Sequence, residues 1–427
     1  MFKKYDAYKD SGVEWLGEIP ANWSCIKMKF LYSDIAIKGR ENAELLSVTQ
    51  DRGVIPRTWV ENRMVMPSGN LESFKYIQKG DFAISLRSFE GGLEYCYHDG
   101  IISPAYTVLK KKIDDLKEGY YKYLFKSKIF ISELQTSIVG IREGKNISYE
   151  ELRYSYLPIP SEIEQHKIAC YLDQKTSEID QAIAIKEQQI ALLNERKQIV
   201  IQKAVTQGLN PNVAMKDSGV EWIGKIPKHW KIQKLSYLAK LDSGSTPDRS
   251  NLNFWSNGTI PWLKTGEINY NLIESSEEFV TPLALSKTAL KLAPKGTLLM
   301  AMYGQGITRG RVAILNFEAT YNQACCAIQC KSKLINWYLF HFFVFAYSFI
   351  RDGGNETSQM NISTGYISNL KVVLPPVEEQ LEIISYLDTE MEKYEEAKLN
   401  LKQQIEKLKE YKTTLINDAV TGKIKVA

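Results

Sequence analysis

The chain has 427 residues, enough for two or three domains that each bury a core. Apolar residues make up 44% and charged residues 24%, which excludes a disordered chain. The 54 basic residues nearly balance 50 acidic ones, so bulk charge does not announce a nucleic-acid partner; any such surface must come from local segregation of charge.

The opening Met-Phe-Lys-Lys-Tyr-Asp is followed by no apolar stretch, so no signal peptide is expected. The cysteines (Cys25, Cys96, Cys170, Cys325, Cys326, Cys330) form no C-x-x-C, and His98, His166, His229 and His341 do not cluster near them. No metal site and no disulfide framework are therefore expected, and a reducing cytosol suits the chain. The most apolar run, 335–350, is 16 residues with His341 inside it. That is short for a membrane span and reads as a buried helix.

Residues 9–23 read KDSGVEWLGEIPANW, and residues 216–230 read KDSGVEWIGKIPKHW. Eleven of the fifteen positions are identical, so the chain is an internal duplication. Each copy is followed by a variable stretch, 24–157 and 231–373. Short runs of Val, Ile, Thr and Tyr between Gly and Pro predict twisted strands in both. The two stretches share landmarks. Lys79-Gly80-Asp81 answers to Lys295-Gly296-Thr297, Tyr123-Leu124-Phe125 to Tyr338-Leu339-Phe340, and Asn146-Ile147-Ser148 to Asn361-Ile362-Ser363. Each stretch is therefore expected to be the same mixed α+β fold carrying different loops.

A proline segment closes each stretch (Leu157-Pro158-Ile159-Pro160; Leu374-Pro375-Pro376), and a helix is predicted to follow. Ser161 with Glu164 has the S-x-x-E spacing of a capping box, and Pro376 suits a first helical turn. Apolar positions then recur in alternating steps of four and three, the period of a coiled-coil seam. The first seam includes Leu172, Ile179, Ile183, Ile190, Leu193 and Val200; the second includes Leu387, Met391, Leu401, Ile405, Leu408 and Leu415. The two stand in one register at a constant offset of 215, and each ends at Ala-Val-Thr shortly before a glycine. A stripe of 33 residues corresponds to roughly 50 Å of helix, about one and a half turns of DNA. The order segment, variable domain, helix, repeated once, resembles a circle cut open. It predicts an α+β molecule of pseudo-two-fold symmetry whose two long helices pair as an antiparallel coiled coil.

Signs of catalysis are weak. Ser103-Pro104-Ala105-Tyr106 approaches an amino-methyltransferase signature but lacks its second proline, and Asn322-Gln323-Ala324-Cys325 in the other half shows no trace of it. Gly304-Gln305-Gly306 is a lone G-x-G, and no P-loop is present, so neither a cofactor nor a catalytic residue is expected. Several loops instead combine basic, amide and small residues. Lys38, Arg40, Gln50, Arg52, Arg57 and Arg87 in the first half are candidate DNA contacts. So are Thr246, Arg249, Lys264, Gln305, Thr308, Arg309 and Arg311 in the second. Arginine and lysine suit guanine edges and phosphates, and glutamine suits adenine edges.

The repeat, the two P-x-x-x-E-Q-x-x-I segments (Pro160 to Ile168; Pro375 to Ile383) and the helices ending in A-V-T resemble the DNA-specificity subunit of type I restriction–modification systems. The second half also carries the family's G-S-T-P and I-P-W-L patterns (Gly244 to Pro247; Ile260 to Leu263), from which the first half departs. The resemblance implies a first recognition domain with its N-terminal segment over 1–157, a spacer helix over 158–210, a second segment and recognition domain over 211–373, and a second spacer helix over 374–427. It implies a non-catalytic subunit that reads a bipartite double-stranded DNA site, docks two methyltransferase subunits and joins motor-nuclease restriction subunits. The competing expectations are a coiled-coil scaffold that never touches DNA and a catalytic methyltransferase or nuclease.

Overall fold

The structure is a computed structural model and describes residues 3–60, 71–139, 146–304, 307–352 and 362–426. It divides into two compact units: residues 1–187 with 402–427, and residues 188–401. Each contains sheet, short helices and part of both long helices, so each is α+β.

In the first unit the segment that opens the chain forms an antiparallel hairpin, Tyr8–Asp10 with Glu18–Pro20. Its turn is fixed locally. Asp10 accepts the Gly12 N–H at 2.9 Å, and Gly12 takes the left-handed φ of +67°. Ser24–Lys27 then pairs with Tyr156–Ile159, so the variable stretch returns to where it began. Between these strands lies an antiparallel sheet in the order Tyr32–Asp34, Thr107–Lys111, Phe82–Ile84, Glu94–Tyr95. One face of this sheet meets the helix Glu118–Leu124 through Tyr32, Phe82, Tyr121 and Phe125, whose rings meet mostly edge to face at 4.8–5.9 Å.

The second unit repeats the plan. Met215–Asp217 pairs with Lys225–Pro227, and Lys231–Lys234 with Lys371–Leu374. The sheet runs Ala239–Ser243, Cys325–Cys330, Leu298–Ala301, Val312–Leu315, the same spatial order as in the first unit. A fifth strand, Leu272–Ile273, is added in parallel. A separate three-stranded sheet, Glu278–Val280, Ile260–Leu263, Thr320–Tyr321, has its own small core around Trp262 and Val280. The run read as one buried helix over 335–350 is two helices that part at Ala346: Asn336–Phe345, which buries Tyr338, Leu339, Phe342 and Phe343, and Tyr347–Asp352. Among the described residues no helix is long and apolar enough to cross a membrane.

The long helices are Glu162–Gln207 and Val377–Val420, 46 and 44 residues, about 65–70 Å each. They exceed the 33-residue stripes chiefly because each begins ten residues before its seam, at 162 against 172 and at 377 against 387. Ser161 and Glu164 form the expected capping box, with the Glu164 N–H donating to Ser161 Oγ and the Ser161 N–H to Glu164 Oε2, both at 3.3 Å. In the first unit the helices run antiparallel, since Lys412 bonds Asp180 at 2.7 Å while Lys186 bonds Gln404 at 2.6 Å. In the second unit Lys197 bonds Glu395 at 2.9 Å. Leu172, Ile179, Leu387, Ile405 and Leu415 are buried; Ile183, Ile190, Leu193, Val200, Met391, Leu401 and Leu408 are half-buried. Of the lysines at stripe positions, Lys186, Lys197 and Lys412 bond the facing helix, whereas Lys398 bonds Glu395 on its own helix.

The ends of the helices explain the A-V-T and E-Q repeats. Tyr120 Oη donates to Val420 O at 2.6 Å, and Tyr338 Oη to Val205 O at 3.1 Å. The Gln165 amide spans Pro160 O and the Lys117 N–H, as the Gln380 amide spans Pro375 O and the Ile335 N–H. These bonds correct one alignment: Tyr338 corresponds to Tyr120, not to Tyr123. Three residues of helix phase carry Tyr123 to the position of His341, where Tyr123 bonds Asp173 at 2.6 Å and His341 approaches Asp388 at 3.7 Å. Ile147 and Ile362 are both buried, each before a helix-starting serine; Asn361 lies outside the described residues.

In the first unit, the end of the second long helix packs on the opening segment. Gly422 stands at φ +76°, and an added Cβ would lie 2.4 Å from Pro20 Cδ. Lys425 donates its N–H to Lys3 O at 2.8 Å. In the second unit Gly208, at φ +74°, sits against Trp230 in the same way.

Candidate nucleic-acid interface

The first-half candidates fall on two sets of loops. Gln50 and Arg52 occupy the turn between Leu46–Thr49 and Gly53–Pro56, which Thr49 Oγ1 closes by donating to Gly53 O at 2.8 Å. Arg57 follows the second strand and donates to Ser47 Oγ at 3.1 Å. Arg87 precedes the short helix Ser88–Gly91. The structure brings this helix to the Gln50 turn: a Cβ on Gly91 would lie 2.2 Å from Gln50 Nε2 and would have to push that side chain aside. Lys126 ties the same turn down, bonding Gln50 O at 2.9 Å and the Glu94 carboxylate at 2.6 Å. Glu94 is buried, and burial pushes its carboxyl up to about 7 against the pull of Lys126. Lys38 and Arg40 stand on a separate loop, with the Arg40 guanidinium 4.2 Å over the Tyr76 ring.

In the second half, Arg249 is held in place by its own unit. Its guanidinium lies 3.8 Å over Trp255 and 4.7 Å from Trp262, and it pairs with Glu278. Lys264 reaches the same carboxylate at 2.9 Å and Glu277 at 3.1 Å. Arg249, ahead of the opposing cost of burial, holds Glu278 below the usual carboxylate range. Much of the charge at Arg249 and Lys264 is thus compensated locally. Thr246 donates to Gln323.

Thr308, Arg309 and Arg311 lie on the turn before Val312–Leu315. Gly304 there adopts φ +146°, and a Cβ on it would meet Thr308 Cβ at 2.9 Å. Gln305 lies outside the described residues. Arg309 Nη2 donates to Arg351 O at 2.6 Å, and Arg311 Nη1 to Asn269 Oδ1 at 2.7 Å. Arg311 and Arg351 lie 5.8 Å and 5.4 Å from the rings of Tyr270 and Tyr347. Three guanidiniums therefore gather here with the Asp352 carboxylate, which Arg351 bonds and holds below its usual range. Arg351 and the two tyrosines escaped the sequence reading. The i, i+4 spacing of Tyr347 and Arg351 was its visible signal, but Tyr347 falls inside the run 335–350, which read only as a buried helix.

Ser103-Pro104-Ala105-Tyr106 is a turn between two strands. Ser103 Oγ accepts from the Ala105 N–H at 3.3 Å, and the Tyr106 N–H donates to Ser103 O. It has the bonding of a turn, with Lys75 donating to Tyr106 O at 2.6 Å.

The chain is thus a duplicated protein, two units of one topology joined by two continuous helices and differing in their loops. Residues 227–407 match the family model described as type I restriction modification DNA specificity domain. The putative MjaX specificity subunit of Methanocaldococcus jannaschii is 26% identical over 359 residues, 83% of this chain and 78% of its own length. The EcoR124I/EcoR124II specificity subunit of Escherichia coli is 24% identical over 235 residues, 54% of each chain. Among solved structures, a chain from a study of complex assembly and conformational transition of the type I R-M system matches with TM-score 0.73 at 13% identity, covering 94% of this chain and 98% of that one. The HsdS subunit from Thermoanaerobacter tengcongensis matches with TM-score 0.57 at 15% identity, covering 95% and 98%. Over most of its length the chain is thus similar to type I restriction–modification specificity subunits, and its second half matches their family model.

Proposed function

We propose that each unit reads one half of a split, asymmetric DNA site, and that the two long helices set the number of unread base pairs between the halves. The helices also dock two methyltransferase subunits, to which restriction subunits add. The observation that carries this reading is a duplicated scaffold with divergent loops. Sheet order, the glutamine bonds at the helix starts and the helix ends repeat, while the turn bearing Gln50 and Arg52 has no likeness in the Arg249 and Lys264 network. A shared scaffold with unlike loops gives unlike half-sites. The subunit itself is read as non-catalytic, binding no cofactor and leaving methyl transfer to its partners.

Exchanging residues 24–157 for the corresponding stretch of another family member is expected to change one half of the methylated site only. The strand pair Ser24–Lys27 with Tyr156–Ile159 brings the two boundaries side by side. A change in both halves, or in neither, overturns the modular reading.

A further inference from the structure

A groove of about 820 Å³ lies within the second unit, between the helix Asn336–Phe345 and the two long helices. Its volume is that of a small-molecule site. Trp337, Phe340, Val344 and Phe345 give it an apolar wall. His341 lines it too, is only 4% exposed, and its Nε2 has no hydrogen-bond partner among the described residues. A buried polar atom left unpaired costs free energy, and native folds keep few of them. The Asp388 carboxylate stands 3.7 Å from that nitrogen, too far for a hydrogen bond, and its side chain is 60% exposed.

The first unit fills the same place with polar contacts. Asp173, which corresponds to Asp388, bonds Lys122 at 2.7 Å and Tyr123 at 2.6 Å, and the Tyr123 hydroxyl meets Thr176 Oγ1 at 3.1 Å. The second unit has Phe340 for Lys122, His341 for Tyr123 and Met391 for Thr176. It keeps the carboxylate and removes both of its donors. Lys197 does not replace them, since it pairs with Glu395 at 2.9 Å, as Lys412 pairs with Asp180 in the first unit.

We infer that this groove binds a small organic cation with an aromatic body. Its ammonium or amidinium group lies between Asp388 and His341, where one nitrogen at about 2.8–3.0 Å from each donates to both the carboxylate and Nε2. The exposed Asp388 side chain turns to admit it. The ring lies on Trp337 and Phe340, whose faces also attract positive charge. An anion would meet an uncompensated carboxylate, and a ligand without a donor would leave Nε2 unpaired. A slender group reaches the buried imidazole, whereas the flat surface of a folded partner does not. The site stands apart from the candidate DNA contacts, and its test requires neither DNA nor other subunits.

The test is isothermal titration calorimetry of the full chain with benzamidine, a planar aryl cation, and with benzoate, an anion of the same shape. Wild type is expected to bind benzamidine and not benzoate. Asp388→Asn, a change at an exposed side chain, is expected to weaken benzamidine binding by about tenfold, the worth of one charge-assisted hydrogen bond. His341→Phe, which removes Nε2 and keeps a ring, is expected to weaken it as well. Phe340→Lys with His341→Tyr installs the first unit's pair and is expected to abolish binding by giving Asp388 its own donors. Asp173→Asn in the first unit is expected to leave the affinity unchanged, which places the site in the second. Thermal melting reports the folding of each variant. A wild-type chain that binds neither probe, or binds both alike, overturns the proposal. So does a benzamidine affinity that Asp388→Asn leaves unchanged.

Discussion

Adding four residues to each long helix, after Lys186 in the first and after Gln404 in the second, tests whether the helices act as a ruler. Lys186 bonds Gln404, so the two insertions face one another and keep the pair matched. Four residues add about 6 Å of helix at about 1.5 Å each. They rotate the remainder of the helix by about 40° beyond a full turn, at about 100° per residue. One base pair of B-DNA advances about 3.4 Å and turns about 35°. Length alone would allow nearly two base pairs, but a reading head that turns out of phase loses its groove. Phase therefore decides, and the expected change is one base pair. The insertion breaks the alternation of four and three at one point, which locally unwinds the coil without reversing its seam. Sequencing methylated sites in a host carrying the variant reads the gap directly. Two unchanged half-sites at an unchanged gap would refute the ruler.

Three further outcomes are expected. Burial raises the Glu94 carboxyl to about 7 in the folded chain, against 4.5 as its ordinary value. Between those values the folded state keeps a proton that the unfolded state has lost, so stability falls as pH rises through that window. Relative to Glu94→Gln, wild type should lose about 3 kcal/mol across the window, at about 1.4 kcal/mol per pH unit; parallel urea midpoints for the two proteins would contradict this. Gly422→Ala should destabilise the first unit by more than 2 kcal/mol, roughly the left-handed penalty plus a clash with Pro20, whereas Gly12→Ala, with nothing near its Cβ, should cost only about 1 kcal/mol. Equal costs in chemical denaturation would remove the packing argument. Arg309→Ala with Arg311→Ala should weaken DNA binding and reduce its dependence on log salt by up to about two, near 0.9 per lost phosphate contact. An unchanged slope would clear both residues of phosphate contact.

The seams and caps were legible in the sequence because a repeated period and a repeated segment constrain each other. A heptad stripe read twice at one offset leaves little freedom of register. The helix-to-helix landmark was misaligned by three residues because Tyr123-Leu124-Phe125 and Tyr338-Leu339-Phe340 share residue types one helical turn out of phase. The hydrogen bonds to Val420 O and Val205 O, with those that Gln165 and Gln380 accept from Lys117 and Ile335, separate the two alignments. Candidate DNA contacts were legible as residue types and not as charges. Nothing local in the sequence shows that Glu278, 29 residues beyond Arg249, would meet both Arg249 and Lys264. The parallel strand Leu272–Ile273 was equally hidden, since its partner lies some forty residues away and a two-residue strand has no period.

The partition of the chain between the units has a consequence for biosynthesis. Residues 188–401 are one continuous stretch, so that unit can close as soon as its last residue clears the ribosome. The other unit begins first and finishes last. Tyr120 waits for Val420, and Pro20 and Trp23 wait for Gly422, while more than two hundred intervening residues are translated. Its aromatic core is the surface exposed longest during synthesis. Chaperone demand and early proteolysis should therefore concentrate in the amino-terminal half, even though both halves share one architecture.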